Sequence, residues 1–73
     1  MSMWITRIIL KTDEATKKKL LEWLVFCKNR DETFQYKIKD NLLIIKSKSR
    51  NQAFKRGSAI YKRFGLHYNV EKE

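Results

Sequence analysis

The segment Lys46-Ser47-Lys48-Ser49-Arg50-Asn51 gathers three cations and two hydroxyls in six consecutive residues, a donor set suited to holding an anion. It also carries the chain from the end of a strand-like run onto the start of a helix-like one. Free backbone N–H groups and the positive end of a helix dipole favour phosphate at such a junction. Downstream, Lys55 and Lys62 stand seven residues apart, as do Arg56 and Arg63. Each pair therefore shares a helical bearing, two turns and about 10 Å apart, a ladder that suits a phosphate backbone. Ser49 is expected chiefly to cap the helix, which leaves the remaining donors free.

The charge distribution sharpens this reading. The 73-residue chain carries a net charge of +9. From Lys37 to Arg63 there are nine basic residues (Lys37, Lys39, Lys46, Lys48, Arg50, Lys55, Arg56, Lys62 and Arg63), opposed only by Asp40, so this stretch alone carries +8. The remainder is nearly balanced, with eight basic and seven acidic residues. Segregation of one sign destabilises a compact chain by self-repulsion, and a polyanion would offset that by releasing condensed counterions. The Lys17-Lys18-Lys19 run has Asp13, Glu14 and Glu22 close by in sequence and reads as an ordinary solvated face.

Catalytic and metal-binding patterns are sparse. One Cys and one His do not make a typical zinc site, and no phosphate-binding or dinucleotide-binding glycine pattern occurs, so no metal or cofactor is expected. Cys27 falls among apolar residues at helical spacing and is expected to pack in the interior. A lone cysteine makes no internal disulfide, so a reducing cytoplasm is the expected compartment. His67 is a conceivable general base for a small ribonuclease, with Lys or Arg stabilising the phosphorane, but no oriented partner accompanies it.

The elements that must position these residues follow from periodicity. Trp4 to Lys11 is rich in Ile and reads as a strand; it lacks a cleavage-site pattern, so it is not read as a leader. Thr12 is placed as an N-cap ahead of Asp13 and Glu14, whose charges suit a helix start. Leu20, Leu21, Trp23, Leu24 and Cys27 then share one arc of a helix. Phe34, Tyr36 and Ile38 alternate with Gln35, Lys37 and Lys39 as a half-buried strand. Asp40-Asn41 makes a two-residue turn into a second strand, Leu42 to Lys48. That turn pairs Ile38 with Leu43, Tyr36 with Ile45, and Phe34 with Ser47. Ser49-Arg50-Asn51-Gln52 has capping-box form. The helix it opens has an inner stripe of Ala53, Gly57, Ile60 and Phe64, with both cation pairs facing away, and Gly65 ends it. Gly57 within the stripe implies close helix–sheet approach. Leu66, Tyr68 and Val70 form a last strand. Phe34, Tyr36, Phe54, Tyr61 and Tyr68 are assigned to the core.

The order β-α-β-β-α-β resembles the split βαβ, or ferredoxin-like, topology and spans residues 1–73 as one α+β domain. It implies a four-stranded antiparallel sheet, strands one and three central, with both helices on one face. The fold hosts many unrelated activities and by itself implies none. The uncovered face would show Ile5, Arg7, Ile9 and Lys11 beside Leu42, Ile44, Lys46 and Lys48. Those positions lack the aromatics on which RNA-recognition domains stack bases. The strip of Ile5, Ile9, Leu42 and Ile44 instead suits a protein contact, a homodimer first.

The chain is therefore expected to be a non-enzymatic nucleic-acid-binding module, for DNA or RNA. Its expected phosphate ligands are Lys37, Lys39, Lys46, Lys48, Ser49, Arg50, Lys55, Arg56, Lys62 and Arg63. A small regulatory protein that docks another protein by its basic face or open sheet is the alternative, and a small ribonuclease toxin the third. No membrane association is expected, the apolar runs being far too short.

Overall fold

The computed structural model describes residues 3–73. Its elements are β1 (Trp4–Ile9), α1 (Glu14–Arg30), β2 (Gln35–Lys39), β3 (Leu42–Ser47), α2 (Arg50–Phe64) and β4 (Tyr68–Lys72). The sheet is antiparallel throughout, in the order β2-β3-β1-β4. This is the ferredoxin-like βαββαβ arrangement, with β1 and β3 central.

Side-chain alternation decides which face of the sheet is covered. Thr6 and Ile8 of β1 are fully buried, as are Leu43 and Ile45 of β3. With Leu20 and Leu24 of α1 and Ile60 of α2 they form the core. Thr6 is a polar member of this layer; its Oγ1 donates to the Ala53 carbonyl of α2 at 2.9 Å, so the buried hydroxyl is satisfied. The expected pairs Ile38–Leu43 and Tyr36–Ile45 are both present. Phe34 lies one residue outside β2 and is buried without a ladder partner at Ser47. Of the two turn residues only Asp40 adopts positive φ, at 56°.

The helix ends follow local chemistry. The N-cap of α1 is Asp13, not Thr12: its carboxylate accepts the Thr16 N–H at 3.1 Å and the Thr16 hydroxyl at 2.7 Å, while Thr12 only donates to it at 3.3 Å. A carboxylate serves both donors at once, which a hydroxyl does less well. At the start of α2, Ser49 Oγ accepts the Gln52 N–H and Gln52 Oε1 accepts the Lys48 N–H, each at 3.2 Å. The capping box is therefore reciprocal, shifted by one residue on its return arm. Gly65 ends α2 at φ 72° in the left-handed region, and its N–H donates to Tyr61 O at 2.8 Å.

α2 sits close on β1 and β4. Gly57 makes that approach possible, since a Cβ there would stand 2.7 Å from Cγ of the Tyr68 ring. Phe54 and Tyr61, expected in the core, lie outside it. Both point along the β4 side of α2 and stay 40% and 46% exposed, meeting Tyr68 and His67 edge-on or tilted. Leu21 likewise lies at the edge of its arc and is largely exposed.

Candidate nucleic-acid interface

Folding distributes the expected phosphate ligands over three places. Lys37, Lys39 and Lys46 alternate onto the open face of the sheet, opposite the helices. Lys48, Ser49 and Arg50 stand exposed at the β3–α2 junction. Lys55, Lys62 and Arg63 are exposed on α2, and Arg56 is not. The strand period of two and the helix layer therefore separate the sheet lysines from the α2 cations, and the ten residues do not share one surface.

Two of the nine cations are paired with carboxylates. Lys46 Nζ lies 3.5 Å from a Glu73 carboxylate oxygen. Arg56, with a side chain only 12% exposed, pairs with Asp31 at 3.7 Å. It also donates from Nη1 to Lys46 O at 2.9 Å and to Ser47 Oγ at 3.0 Å. Arg56 therefore faces α1 and the sheet rather than solvent, and its guanidinium is already engaged. Burial draws its pKa down while Asp31 opposes that. Among the described residues, Lys48, Arg50, Lys55, Lys62 and Arg63 have no carboxylate partner, and α2 contains no acidic residue at all.

Between α1 and α2 lies a groove of about 480 Å³ whose walls include Trp23, Phe26, Arg30, Lys55, Ala59 and Arg63. Phe34, Arg56 and Cys27, each at least partly buried, also line it, with the exposed Asp31. Arg63 stands over the Trp23 ring at 5.8 Å and Arg30 over Phe26 at 5.5 Å. Trp23 also meets Phe64 edge-on. Burial raises the Cys27 thiol above its ordinary value against the pull of Arg63, Arg30 and Arg56, so it is neutral at pH 7. Arg30, Trp23 and Phe26 were not among the expected ligands. The spacing of Phe26 and Arg30, four apart on one helix, carries their contact in the sequence, whereas the meeting of Trp23 with Arg63 depends on how the two helices pack.

The open sheet face holds the expected aliphatic strip. Pairing sets Ile9 beside Leu42, Arg7 beside Ile44 and Ile5 beside Lys46, and Ile9 is 62% exposed. The strip is flanked by carboxylates as well as cations, since Arg7 Nε pairs with Glu71 at 2.5 Å. His67 lines a cleft of about 580 Å³ at the end of this face with Arg7, Lys11 and Asn69, and its ring rests 5.2 Å from that of Tyr61. Among the described residues, no three His, Cys, Asp or Glu side chains stand close enough to hold a metal ion. No helix there is long and apolar enough to cross a membrane. No protein-family model and no curated protein sequence matches the chain.

Proposed function

We propose that this chain is a non-enzymatic module that binds nucleic acid through its phosphate backbone, acting in a reducing, cytoplasmic compartment. The observation that carries the reading is α2, which presents Lys55, Lys62 and Arg63 to solvent with no carboxylate of its own and no ion-pair partner for them among the described residues. Lys48 and Arg50 add two exposed cations at the N-terminal end of the helix, Arg50 lying over the Phe54 ring on its β4 side. Lys55 and Lys62, about 10 Å apart along the axis, are far enough apart to meet different phosphates of one strand. Base edges have no evident reader, so recognition rests on backbone and charge.

The test is a pair of charge reversals. Lys55→Glu with Lys62→Glu should lower affinity for a labelled oligonucleotide at least tenfold, whereas Lys37→Glu with Lys39→Glu on the open face should change it less than threefold. With about five phosphates contacted, log K against log salt on duplex should have a slope near −4 to −5. A flat salt dependence, or a larger loss from the sheet pair, would remove the reading.

A second reading has one observation in its favour: Ile5, Ile9, Leu42 and Ile44 form a contiguous strip with Ile9 mostly in solvent. We propose this strip as a protein contact, in a homodimer. Sedimentation equilibrium should show a dimer that Ile9→Lys with Ile44→Lys converts to monomer. A parent protein that is monomeric at every concentration dismisses it.

A further inference from the structure

Two aromatic rings with exposed surface line the groove between α1 and α2, each with a guanidinium over it, Arg63 over Trp23 and Arg30 over Phe26, while a third ring, Phe34, is buried beneath Arg56. We infer that this groove receives an unpaired nucleobase, so that single strands are the preferred nucleic-acid ligand. The inference rests on the phosphate-binding reading above and names the form of nucleic acid that the same side of the molecule takes.

The chemistry of the groove divides into an apolar floor and a cationic rim. Cys27, Ala59 and the ring edges form the floor, while Arg30, Lys55 and Arg63 stand exposed around it. Asp31 is the one carboxylate lining the groove, and it is paired with Arg56. A phosphate at the rim therefore meets cations without an unpaired carboxylate beside it. Every base offers a π-face to a ring or a guanidinium plane, so stacking here tolerates any sequence. Phe26, 50% exposed, leaves ring surface within reach of an entering base. At about 480 Å³ the groove lies within the ~300–1,000 Å³ range of small-ligand pockets. A duplex keeps its bases stacked inside and offers the groove only its backbone. Since duplex carries the higher charge density, charge alone would favour it, and a preference for single strands would report the rings.

The test compares a fluorescein-labelled oligothymidylate with a duplex of matched phosphate number, by anisotropy at one salt concentration. Ala59→Leu fills the floor without altering charge, and Phe26→Ala removes the ring at the mouth; circular dichroism and thermal melts verify that each variant is folded. The parent should prefer the single strand about tenfold, and each substitution should cost about tenfold in single-strand affinity, the loss of roughly one stacked base. Duplex affinity and salt dependence should not change. Cys27 supplies an independent reporter, since the single strand should slow its alkylation by iodoacetamide and the duplex should not. If folded Phe26→Ala or Ala59→Leu binds the single strand as the parent does, the groove inference is overturned while phosphate binding stands; an acidic protein segment then becomes the better occupant. If the parent binds neither ligand, the reading beneath it fails instead.

Discussion

The guanidinium carbon of Arg56 lies 4.8 Å from the centre of the Phe34 ring, and this one side chain joins three parts of the fold. From α2 it reaches the carbonyl of Lys46 and the hydroxyl of Ser47 at the end of β3, and the carboxylate of Asp31 at the C-cap of α1. Arg56→Ala should therefore act on stability before binding. Losing a charged donor with two acceptors and a stacked ring should cost about 2–3 kcal/mol, lowering the melting temperature by more than about 8 °C in a domain this small. Arg56→Lys keeps the charge but not the planar fork, and should recover less than half of the loss. A differential scanning measurement on the three proteins checks it; equal melting temperatures would show that the contacts carry no net stability.

Gly57 and Tyr68 make a second coupled pair. On propensity alone Gly57→Ala should stabilise α2 by about 1 kcal/mol. The new methyl would instead meet the Tyr68 ring well inside van der Waals contact. The expected net effect is a loss of about 1–3 kcal/mol as the ring or the helix is displaced. In a Tyr68→Ala background the same substitution should be neutral or favourable. Urea denaturation of the four proteins of this cycle gives the coupling directly, and additivity would mean that Gly57 is not where the helix touches the sheet.

Most of the fold is legible from local rules because each element carries its own start, period and stop. The tight turn at Asp40-Asn41 fixes the β2–β3 register, and Ser49 and Gly65 bound α2 as their chemistry requires. The N-cap of α1 is Asp13 and not the expected Thr12, since both types are competent caps and only the geometry of Thr16 selects the carboxylate. The candidate site was less legible for a different reason. Counting charge along the chain merges the two sides of the sheet, so it groups Lys37 and Lys39 with Lys55 and Lys62 although alternation sends them to the opposite face. Seven-residue spacing likewise gives Arg56 and Arg63 a common bearing, but which solvent-facing bearings a neighbouring helix will cover is a property of packing. Trp23 and Arg63 are forty residues apart, and nothing local in either foretells their contact.

Acid should lower the protein's stability through two aspartates. Hydrogen bonds from the Thr16 side chain and backbone hold Asp13 below its ordinary value of 3.8, and those from Thr33 do the same for Asp31, with the charges of Arg56 and Lys48 assisting. In each case the unfolded chain binds the proton more tightly than the folded one, so protonation favours unfolding. The stabilisation is complete well above 3.8 and is lost as pH falls through that value toward the lower folded ones. Melting temperature should therefore decline between about pH 5 and pH 2. Asp13→Asn keeps a competent cap and should flatten that decline, as should Asp31→Asn. Melting curves across the range test it, and an unchanged pH dependence in the double variant would assign acid lability elsewhere.

Ser49 is where capping and phosphate binding can be separated. Its Oγ accepts the Gln52 N–H at the start of α2, with Lys48 and Arg50 exposed on either side. Removing the hydroxyl in Ser49→Ala should lower stability by about 1 kcal/mol and alter oligonucleotide affinity less than twofold, because the flanking cations remain. Ser49→Asp should behave in the opposite way. A carboxylate caps as well as a hydroxyl and favours the positive end of the helix, so stability should hold. It also places a negative charge between the two cations, so affinity should fall about tenfold and the fall should shrink as salt screens the repulsion. Thermal melts and anisotropy titrations on both variants supply the two readouts. A folded Ser49→Asp protein that binds as the parent does would mean that no phosphate passes the N-terminal end of α2, and would confine the interface to Lys55, Lys62 and Arg63.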